Sequence, residues 1–332
     1  MSRQLIVVLV AVVSLITSAA AGDCPEFMGS VDTAEARGVA VSGGYAYVAD
    51  EYYLQIVDVS TPSTPFAVGF VETPGDARGV AVSGGYAYVA DEASLQIIDV
   101  STPSTPFAVG FFDTLGTARG VEVSGDYAYV GDGSQGLRVI DVSTPFTPVE
   151  VGYVDTAGYT QGVAISGGYA YVGDGSQGLR VIDVSTPSAP VEVGFVDTPG
   201  SAFDVVLSYG YAYVADGPGG LRVIDVSTPS APVEVGFSDT WTWYARGVAV
   251  SGGYAYVADM GTGLFVFDVS TPSAPVVVDW YEWGQGYGVA VSGGYVYLAA
   301  YNQGLAVFRD CSSLFLDGFE SGDTSAWSAT VP

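Results

Sequence analysis

The ionisable side chains of this chain are almost all carboxylates, and their chemistry sets the first limits on function. The 332 residues include 36 Asp and Glu, nine Arg, no Lys and no His, which gives a net charge of −27 at pH 7. Without an imidazole or an amine side chain, the protein cannot build a Ser-His-Asp triad, a Schiff-base lysine or a His-ligated metal site. The negative charge would also repel phosphates, so nucleic acid is excluded as an expected partner.

Arginine recurs at one position of a repeated segment, and an aspartate follows it after a tight hairpin turn. Counting outward from the turn places each arginine opposite the aspartate on the next strand, in the predicted pairs Arg37–Asp50, Arg78–Asp91, Arg119–Asp132 and Arg246–Asp259. The other repeats carry Gln161, Phe203 and Tyr287 at the arginine position. Two interpretations stay open: ion pairs that neutralise a crowded rim, or a ring of arginines that holds an anionic or carboxylate ligand.

The carboxylates could in principle serve a metal or an enzyme. The loops after Asp132 and Asp174 lack the alternating oxygen ligands of a typical Ca²⁺ loop, so structural calcium is a secondary expectation and no other metal or cofactor is predicted. An enzyme of glycosidase or lyase type would use Asp174 or Asp216, which have no arginine opposite. Such chemistry needs an acid that departs from the repeat. We identify none in the sequence and expect the protein not to be an enzyme.

Seven copies of one unit must position these side chains. The Tyr that opens each "GYAYV"-like segment recurs at Tyr45, Tyr86, Tyr127, Tyr169, Tyr211, Tyr254 and Tyr295. Each unit contains four runs rich in Val, Ile, Tyr and Phe, and a Gly-Gly pair such as Gly167-Gly168 separates the first two. Four strands in a repeat of this length are typical of a propeller blade. The sequence predicts an all-β, seven-bladed β-propeller with four antiparallel strands per blade.

The two ends of the repeat region predict how the ring closes. The chain begins at Pro25 with a segment that aligns with a fourth strand, and the last unit stops after its third strand at Asp310. We therefore expect the N-terminal strand to complete the last blade, which removes both open sheet edges. The same alignment brings Cys24 opposite Cys311, which predicts a disulfide in an oxidising compartment.

Aromatic residues concentrate where the repeat breaks. The connections into the sixth and seventh blades contain four of the five Trp residues of the chain, and Phe203 lies on the same face of the ring. Exposed aromatic rings are good platforms for sugars or partner side chains, although the same rings could instead plug the channel mouth. The predicted ligand-binding residues are Trp241, Trp243, Tyr244, Trp283, Tyr287 and Phe203. Trp280 aligns with Phe195, and we expect both to lie in the core.

The termini outside the repeat suggest export. Arg3 precedes an apolar run from Leu5 to Ile16 and small residues up to Ala21, which is the pattern of a secretory signal peptide. We therefore divide the chain into a signal peptide, residues 1–21, a propeller, residues 22–311, and a C-terminal tail, residues 312–332. The tail could be a sorting tag or a docked or disordered terminus. We expect a monomer that is secreted or on the cell surface, with no membrane span in the mature chain.

The recurring segment "LRVIDVSTPSAPVEVG", as at Leu179–Gly194, resembles the LVIVD-repeat family of bacterial and archaeal surface propellers, including members of the choice-of-anchor type. The resemblance extends over about residues 25–310. It implies a secreted or cell-surface propeller and supplies no catalytic residue. We expect a non-enzymatic binding, adhesion or scaffold module whose partner is a surface glycan or a protein. A propeller enzyme that uses rim carboxylates is the main alternative, and a structural spacer without a ligand is another.

Overall fold

The computed structural model describes residues 24–239 and 244–312, which form a seven-bladed β-propeller of antiparallel strands. No helix occurs in these two ranges. In the first blade, the second and third strands run together as one extended segment. The first three blades contain β2 (Ala36–Ser42), β3 (Tyr45–Asp58) and β4 (Phe66–Ala77); β5 (Gly79–Ser83), β6 (Tyr86–Ala90), β7 (Glu92–Asp99) and β8 (Phe107–Ala118); β9 (Gly120–Ser124), β10 (Tyr127–Gly131), β11 (Leu137–Asp141) and β12 (Val149–Val154).

The remaining four blades each contain four separate strands. The fourth and fifth are β13 (Val163–Ser166), β14 (Tyr169–Gly173), β15 (Leu179–Asp183) and β16 (Val191–Val196); β17 (Asp204–Ser208), β18 (Tyr211–Ala215), β19 (Leu221–Asp225) and β20 (Val233–Ser238). The sixth and seventh are β21 (Ala245–Ser251), β22 (Tyr254–Asp259), β23 (Gly263–Asp268) and β24 (Val276–Glu282); β25 (Gly286–Ser292), β26 (Tyr295–Ala300), β27 (Gly304–Arg309) and β1 (Glu26–Val31).

Local sequence explains the turns within a blade. Gly43 and Gly44 have φ of +59° and +83°, the left-handed conformation that a two-residue hairpin requires and glycine tolerates. At the opposite end of the blade, Asp58 Oδ1 accepts hydrogen bonds from Ser60 N–H at 2.9 Å and from Ser60 Oγ at 2.6 Å. The aspartate that marks each repeat therefore stabilises a turn.

The core lies between blades, in seven apolar clusters that each join neighbouring blades. The innermost strands contact one another around the whole ring, from β2 through β5, β9, β13, β17, β21 and β25 back to β2. A Cβ on Gly38 would lie 2.4 Å from the carbonyl oxygen of Arg78 in the next blade. Glycine is thus required at this position because adjacent innermost backbones approach so closely.

The predicted closure is confirmed. β1 pairs antiparallel with β27, with Glu26 opposite Arg309 and Val31 opposite Leu305. The disulfide between Cys24 and Cys311 is formed, with a Cα–Cα distance of 5.3 Å. The first strand therefore belongs to the last blade, and one covalent bond links the two ends of the ring.

Two sequence expectations concern residues at or beyond the edge of the ring. Trp280 and Phe195 were predicted to be buried, and this is wrong: they are 50% and 55% exposed. Each lies on the fourth strand, whose alternate side chains face outward at the circumference. The segment predicted to be a signal peptide, residues 1–21, and most of the predicted tail lie outside the described residues. Within the described ranges, no helix is long and apolar enough to cross a membrane.

Candidate functional site: the channel mouth

The residues that precede or open the innermost strands surround one cavity in the central channel. Its volume is about 470 Å³. We call this end of the channel the channel mouth. Its ring consists of Arg37, Arg78, Arg119, Gln161, Phe203, Arg246 and Tyr287, all of which line the cavity.

A register shift turns the arginines away from their predicted partners. In the first blade, Ala36 lies opposite Asp50 and Gly38 opposite Ala49, so Arg37 is an extra residue without a cross-strand partner. The sixth blade has the same irregularity around Arg246. Such a bulge redirects the side chain, here into the channel. Among the described residues, none of the predicted ion pairs Arg37–Asp50, Arg78–Asp91, Arg119–Asp132 and Arg246–Asp259 is formed.

The aspartates at the end of the second strands instead hold the connections between blades. Their carboxylate oxygens accept hydrogen bonds from backbone N–H groups, for example from Gly75 to Asp91 at 3.2 Å and from Tyr244 to Asp259 at 3.2 Å. Glu35 and Ala34 donate to Asp50 in the same way. These repeated acids therefore have a structural role, and the arginines are left to interact with other groups.

The part of the channel mouth that the first two blades form is an ion-pair network. Arg37 Nε lies 3.1 Å from Asp76 Oδ1, and Arg78 Nη2 lies 2.8 Å from Asp76 Oδ2. Arg37 also contacts Glu35 at 3.2 Å, and Arg78 Nε donates to Glu92 at 2.8 Å. Two arginines and three carboxylates thus alternate across the first two blades, and their charges are compensated locally.

The remaining part of the channel mouth combines arginine side chains with aromatic rings. The guanidinium carbon of Arg246 lies 4.4 Å from the ring centroid of Phe203 and 5.0 Å from that of Tyr287. Arg119 lies 5.0 Å from the Tyr159 ring. In the described part of the chain, neither of these two arginines has a carboxylate within ion-pair distance. Cation–π contacts are their principal interactions.

The structure brings together only part of the predicted aromatic set. Phe203 packs against Tyr244 with ring centroids 5.3 Å apart, and Tyr287 stacks on Tyr301 at 5.2 Å. Trp283 does not line the cavity and packs against Phe27 of β1 at 5.0 Å. Trp241 and Trp243 lie outside the described residues. Two aromatic pairs therefore flank Arg246 at the channel mouth.

Two acids deeper in the channel were missed by the sequence analysis. Glu122 replaces the alanine found at the equivalent positions Ala40 and Ala81, and Asp204 replaces the glycine found at Gly38. Both line the cavity below the channel mouth. Comparing the innermost strands position by position would have found them, because these are the acids that break the repeat.

The environment of these two acids favours their protonated forms. Burial, followed by the negative charge of Asp204, raises the pKa of Glu122 to about 7. Burial also raises the pKa of Asp204 to about 6, against the effect of hydrogen bonds from the N–H groups of Val248 at 3.0 Å and Val205 at 2.9 Å. Asp204 thereby links the fifth blade to the sixth.

The two acids that the sequence suggested for catalysis, Asp174 and Asp216, already form ion pairs. Asp174 lies 3.6 Å from Arg180 Nε, and Asp216 lies 3.6 Å from Arg222 Nε. Asp174 and Asp216 were described as acids without an arginine, and this is wrong, because the third strand of the same blade supplies one. No group of three or more His, Cys, Asp or Glu in the described ranges is arranged to hold a metal.

Sequence comparison identifies the repeat. A model of the LVIVD repeat matches residues 33–73, 74–114, 115–156, 157–198, 199–240, 244–282 and 284–310. The chain belongs to the LVIVD-repeat family. The seventh LVIVD repeat ends before a fourth strand, which β1 supplies. A search of curated proteins finds no match to the chain.

Solved structures show the same fold at low sequence identity. The computationally designed Ika8 protein aligns with a TM-score of 0.62 and 10% identity, covering 86% of this chain and 99% of that one. The Cps50 (Swd1) β-propeller domain of Myceliophteria thermophila gives 0.69 and 10%, with 86% and 99% coverage. A chain of the mitotic checkpoint complex gives 0.70 and 13%, with 93% and 98% coverage. These LVIVD repeats therefore build an ordinary propeller scaffold, whose function must come from its own side chains.

Proposed function

We propose that this LVIVD-repeat protein is an exported, non-enzymatic binding module that holds a glycan at the channel mouth. The apolar segment before residue 22 and the Cys24–Cys311 disulfide support export to an oxidising compartment. The protein then acts in the medium or at a cell surface, with residues 312–332 as an attachment segment. This context also agrees with the resemblance to surface propellers of the choice-of-anchor type.

The observation that carries the proposal is the presence of two aromatic pairs beside Arg246. Phe203 and Tyr287 line the cavity, and Tyr244 and Tyr301 pack against them with ring centroids 5.3 and 5.2 Å apart. Rigid aromatic faces offer large contact areas at a small cost in side-chain entropy, and they suit the apolar faces of sugar rings.

The shape of the site favours a glycan over a protein partner. A cavity of about 470 Å³ falls within the range of sites for small ligands. A stable protein interface instead buries about 800 Å² of surface on each partner. One or two sugar units of a chain can enter the channel mouth, with the rest of the chain extending away from the ring.

The test is a glycan array with the mature protein, residues 22–332, and three variants. Phe203→Ala and Tyr287→Ala each remove one ring of an aromatic pair and should abolish retention of the protein on the array. Phe111→Ala is the control, because Phe111 is 58% exposed and does not line the cavity. Thermal melting confirms that each variant is folded. Failure of the unmodified protein to bind any glycan, or equal loss in all three variants, would contradict the proposal.

A second candidate function is acid–base catalysis within the channel. Glu122, with a pKa of about 7, and Asp204 share a cavity with arginines, so a proton donor stands near groups that can bind an anion. Glycosidase or lyase activity would then depend on Glu122. The test is to incubate the bound glycans with the protein and to analyse them by mass spectrometry. Cleavage by the unmodified protein that is absent with Glu122→Gln would show that the protein is an enzyme and not only a binding module.

A further inference from the structure

Arg119 and Arg246 differ from the other described arginines in their partners. Six arginines have a carboxylate within 4 Å: Arg37, Arg78, Arg138, Arg180, Arg222 and Arg309. The two exceptions both line the same cavity. In a chain with four times as many acids as bases, a chance shortage of carboxylates does not explain two uncompensated arginines in one place.

The two guanidinium groups also keep unused hydrogen-bond donors. The Nε atoms of six described arginines are buried without a hydrogen-bond partner. In four of them a carboxylate oxygen lies 3.1 to 3.6 Å from the Nε atom, whereas Arg119 and Arg246 have no such carboxylate among the residues that the structure describes. Burial lowers the pKa of Arg246 against the effect of the neighbouring Tyr287 hydroxyl, and the charges of Arg119 and Arg78 act in the same direction as burial. A partly desolvated cation is costly when it is not paired. An anion would relieve this cost, and the planar guanidinium fork fits a carboxylate with two parallel hydrogen bonds.

The surroundings specify more than a simple anion. Phe203 and Tyr287 line the cavity next to Arg246, so a ring-shaped ligand that enters it meets both a guanidinium and aromatic side chains. Deeper in the channel, Glu122 and Asp204 can bond to hydroxyl groups. A sugar ring that carries a carboxylate satisfies all three kinds of contact at once.

We propose that the channel mouth binds a uronic-acid sugar, with Arg119 and Arg246 as the carboxylate subsite and Phe203 and Tyr287 as the ring contacts. The inference rests on the proposed glycan-binding function and specifies its ligand class. It also assigns the two uncompensated arginines a purpose, which the ion-paired arginines of the first two blades do not share.

The site should bind this anion more tightly as the pH falls. The charged groups that share the channel mouth are the four arginines of its ring, Glu35, Asp76, Glu92, Asp204 and Glu122. Protonation of Glu122 and Asp204 removes negative charge from the cavity, whereas a uronic acid stays ionised until much lower pH. Affinity should therefore increase severalfold between pH 8 and pH 5.5, and Glu122→Gln should flatten this dependence.

The experiment is isothermal titration of the mature protein with trigalacturonic acid and with its methyl ester, which keeps the rings but lacks the charges. The acid should bind 10- to 100-fold more tightly than the ester, as for a charge-assisted contact. Arg246→Gln and Arg119→Gln should remove this preference, and Arg246→Lys should retain only part of it. Arg309→Gln makes the same charge change outside the site, next to Glu26, and should leave the preference intact.

The outcomes separate the two proposals. Equal binding of acid and ester overturns the carboxylate subsite but leaves a glycan-binding module. Absence of binding to both, together with an empty glycan array, overturns the proposed function. Binding of a hexaglutamate peptide in place of the trisaccharide would show that the arginines recognise an acidic protein segment, and this result would overturn the sugar assignment.

Discussion

Arg180, inside the fourth blade, and Arg246, at the channel mouth, carry the same side chain in opposite electrostatic surroundings. Arg180 in the fourth blade has Asp174, Glu192 and Asp197 at 3.6, 3.7 and 3.4 Å, and its guanidinium carbon lies 4.6 Å from the Phe195 ring. Arg246 at the channel mouth has aromatic neighbours but no carboxylate among the described residues. The charge of Arg180 is compensated by carboxylates of its own blade, whereas the charge of Arg246 is available to an external ligand.

The acids that neighbouring segments supply therefore decide whether an arginine is compensated: Arg37 and Arg78 share Asp76, whereas Arg119 and Arg246 have no carboxylate within 4 Å among the described residues. The third strand of a blade is enclosed by the second and fourth strands, so its arginine meets the acids of both. The channel mouth is formed by seven different blades, and no neighbouring strand is obliged to supply a partner. Three substitutions, two of them with a control variant, test how burial and pairing set the energy of a charged side chain.

The largest effect is expected for Arg180→Met, which removes the charge but keeps most of the side-chain stem. Asp174 is completely buried, and loss of its arginine leaves an uncompensated carboxylate. The free energy of unfolding in guanidinium chloride at pH 7 should fall by about 3 kcal/mol. Arg309→Met, which breaks an exposed pair with Glu26, should cost less than about 1 kcal/mol. Equal effects of the two variants would remove the distinction between buried and exposed pairs.

An intermediate effect is expected for Asp204→Asn. The pKa of Asp204 is raised to about 6 in the folded protein, so the folded state holds a proton that the unfolded chain releases between about pH 4 and pH 6. The carboxylate therefore destabilises the wild-type protein increasingly as the pH rises through this interval. Asp204→Asn removes the charge and also one of the two oxygens that accept from Val205 and Val248. Its stability relative to wild type should rise by about 1–2 kcal/mol between pH 4 and pH 8, added to a pH-independent cost of the lost acceptor.

The turn aspartates supply a control of opposite sign. Hydrogen bonds from the Ser60 hydroxyl and backbone N–H lower the pKa of Asp58 below its usual value. Such a group stabilises the folded state above the unfolded-state pKa, and this contribution is lost as the pH falls through the folded-state pKa. Asp58→Asn should therefore be less stable than wild type at pH 7. Chemical denaturation from pH 3 to pH 8 measures both variants, and shifts of the same sign would contradict the assignment.

The smallest effect on stability is expected for Arg246→Gln. This arginine has no ion pair to lose, and burial of its charge already works against it, so the free energy of unfolding should change by less than about 1 kcal/mol. Thermal and chemical denaturation beside Arg180→Met provide the measurement. A loss as large as that of Arg180→Met would mean that the channel-mouth arginines are structural after all.

Much of the fold could be predicted because the sequence repeats the strand and turn pattern of one blade seven times. The spacing of the tyrosines from Tyr45 to Tyr295 gave the number of blades, and the phase of Pro25 relative to Asp310 gave the closure. The disulfide followed from the same alignment. The signal at Glu122 and Asp204 was also present in the sequence, but its meaning depended on knowing that both positions face one channel.

The amino-acid sequence by itself determined the strands, the turns, the blade count and the pairing of the two ends, because these depend on local side-chain pattern and on repeat phase. The partners of the arginines depend on the tertiary structure. A one-residue bulge before Gly38 turns Arg37 from Asp50 to Asp76, near the end of the fourth strand of the same blade, and the curvature of the ring brings Glu122 into the electrostatic field of Asp204. Contacts between blades depend on how seven sheets pack around an axis, and no single repeat contains that information.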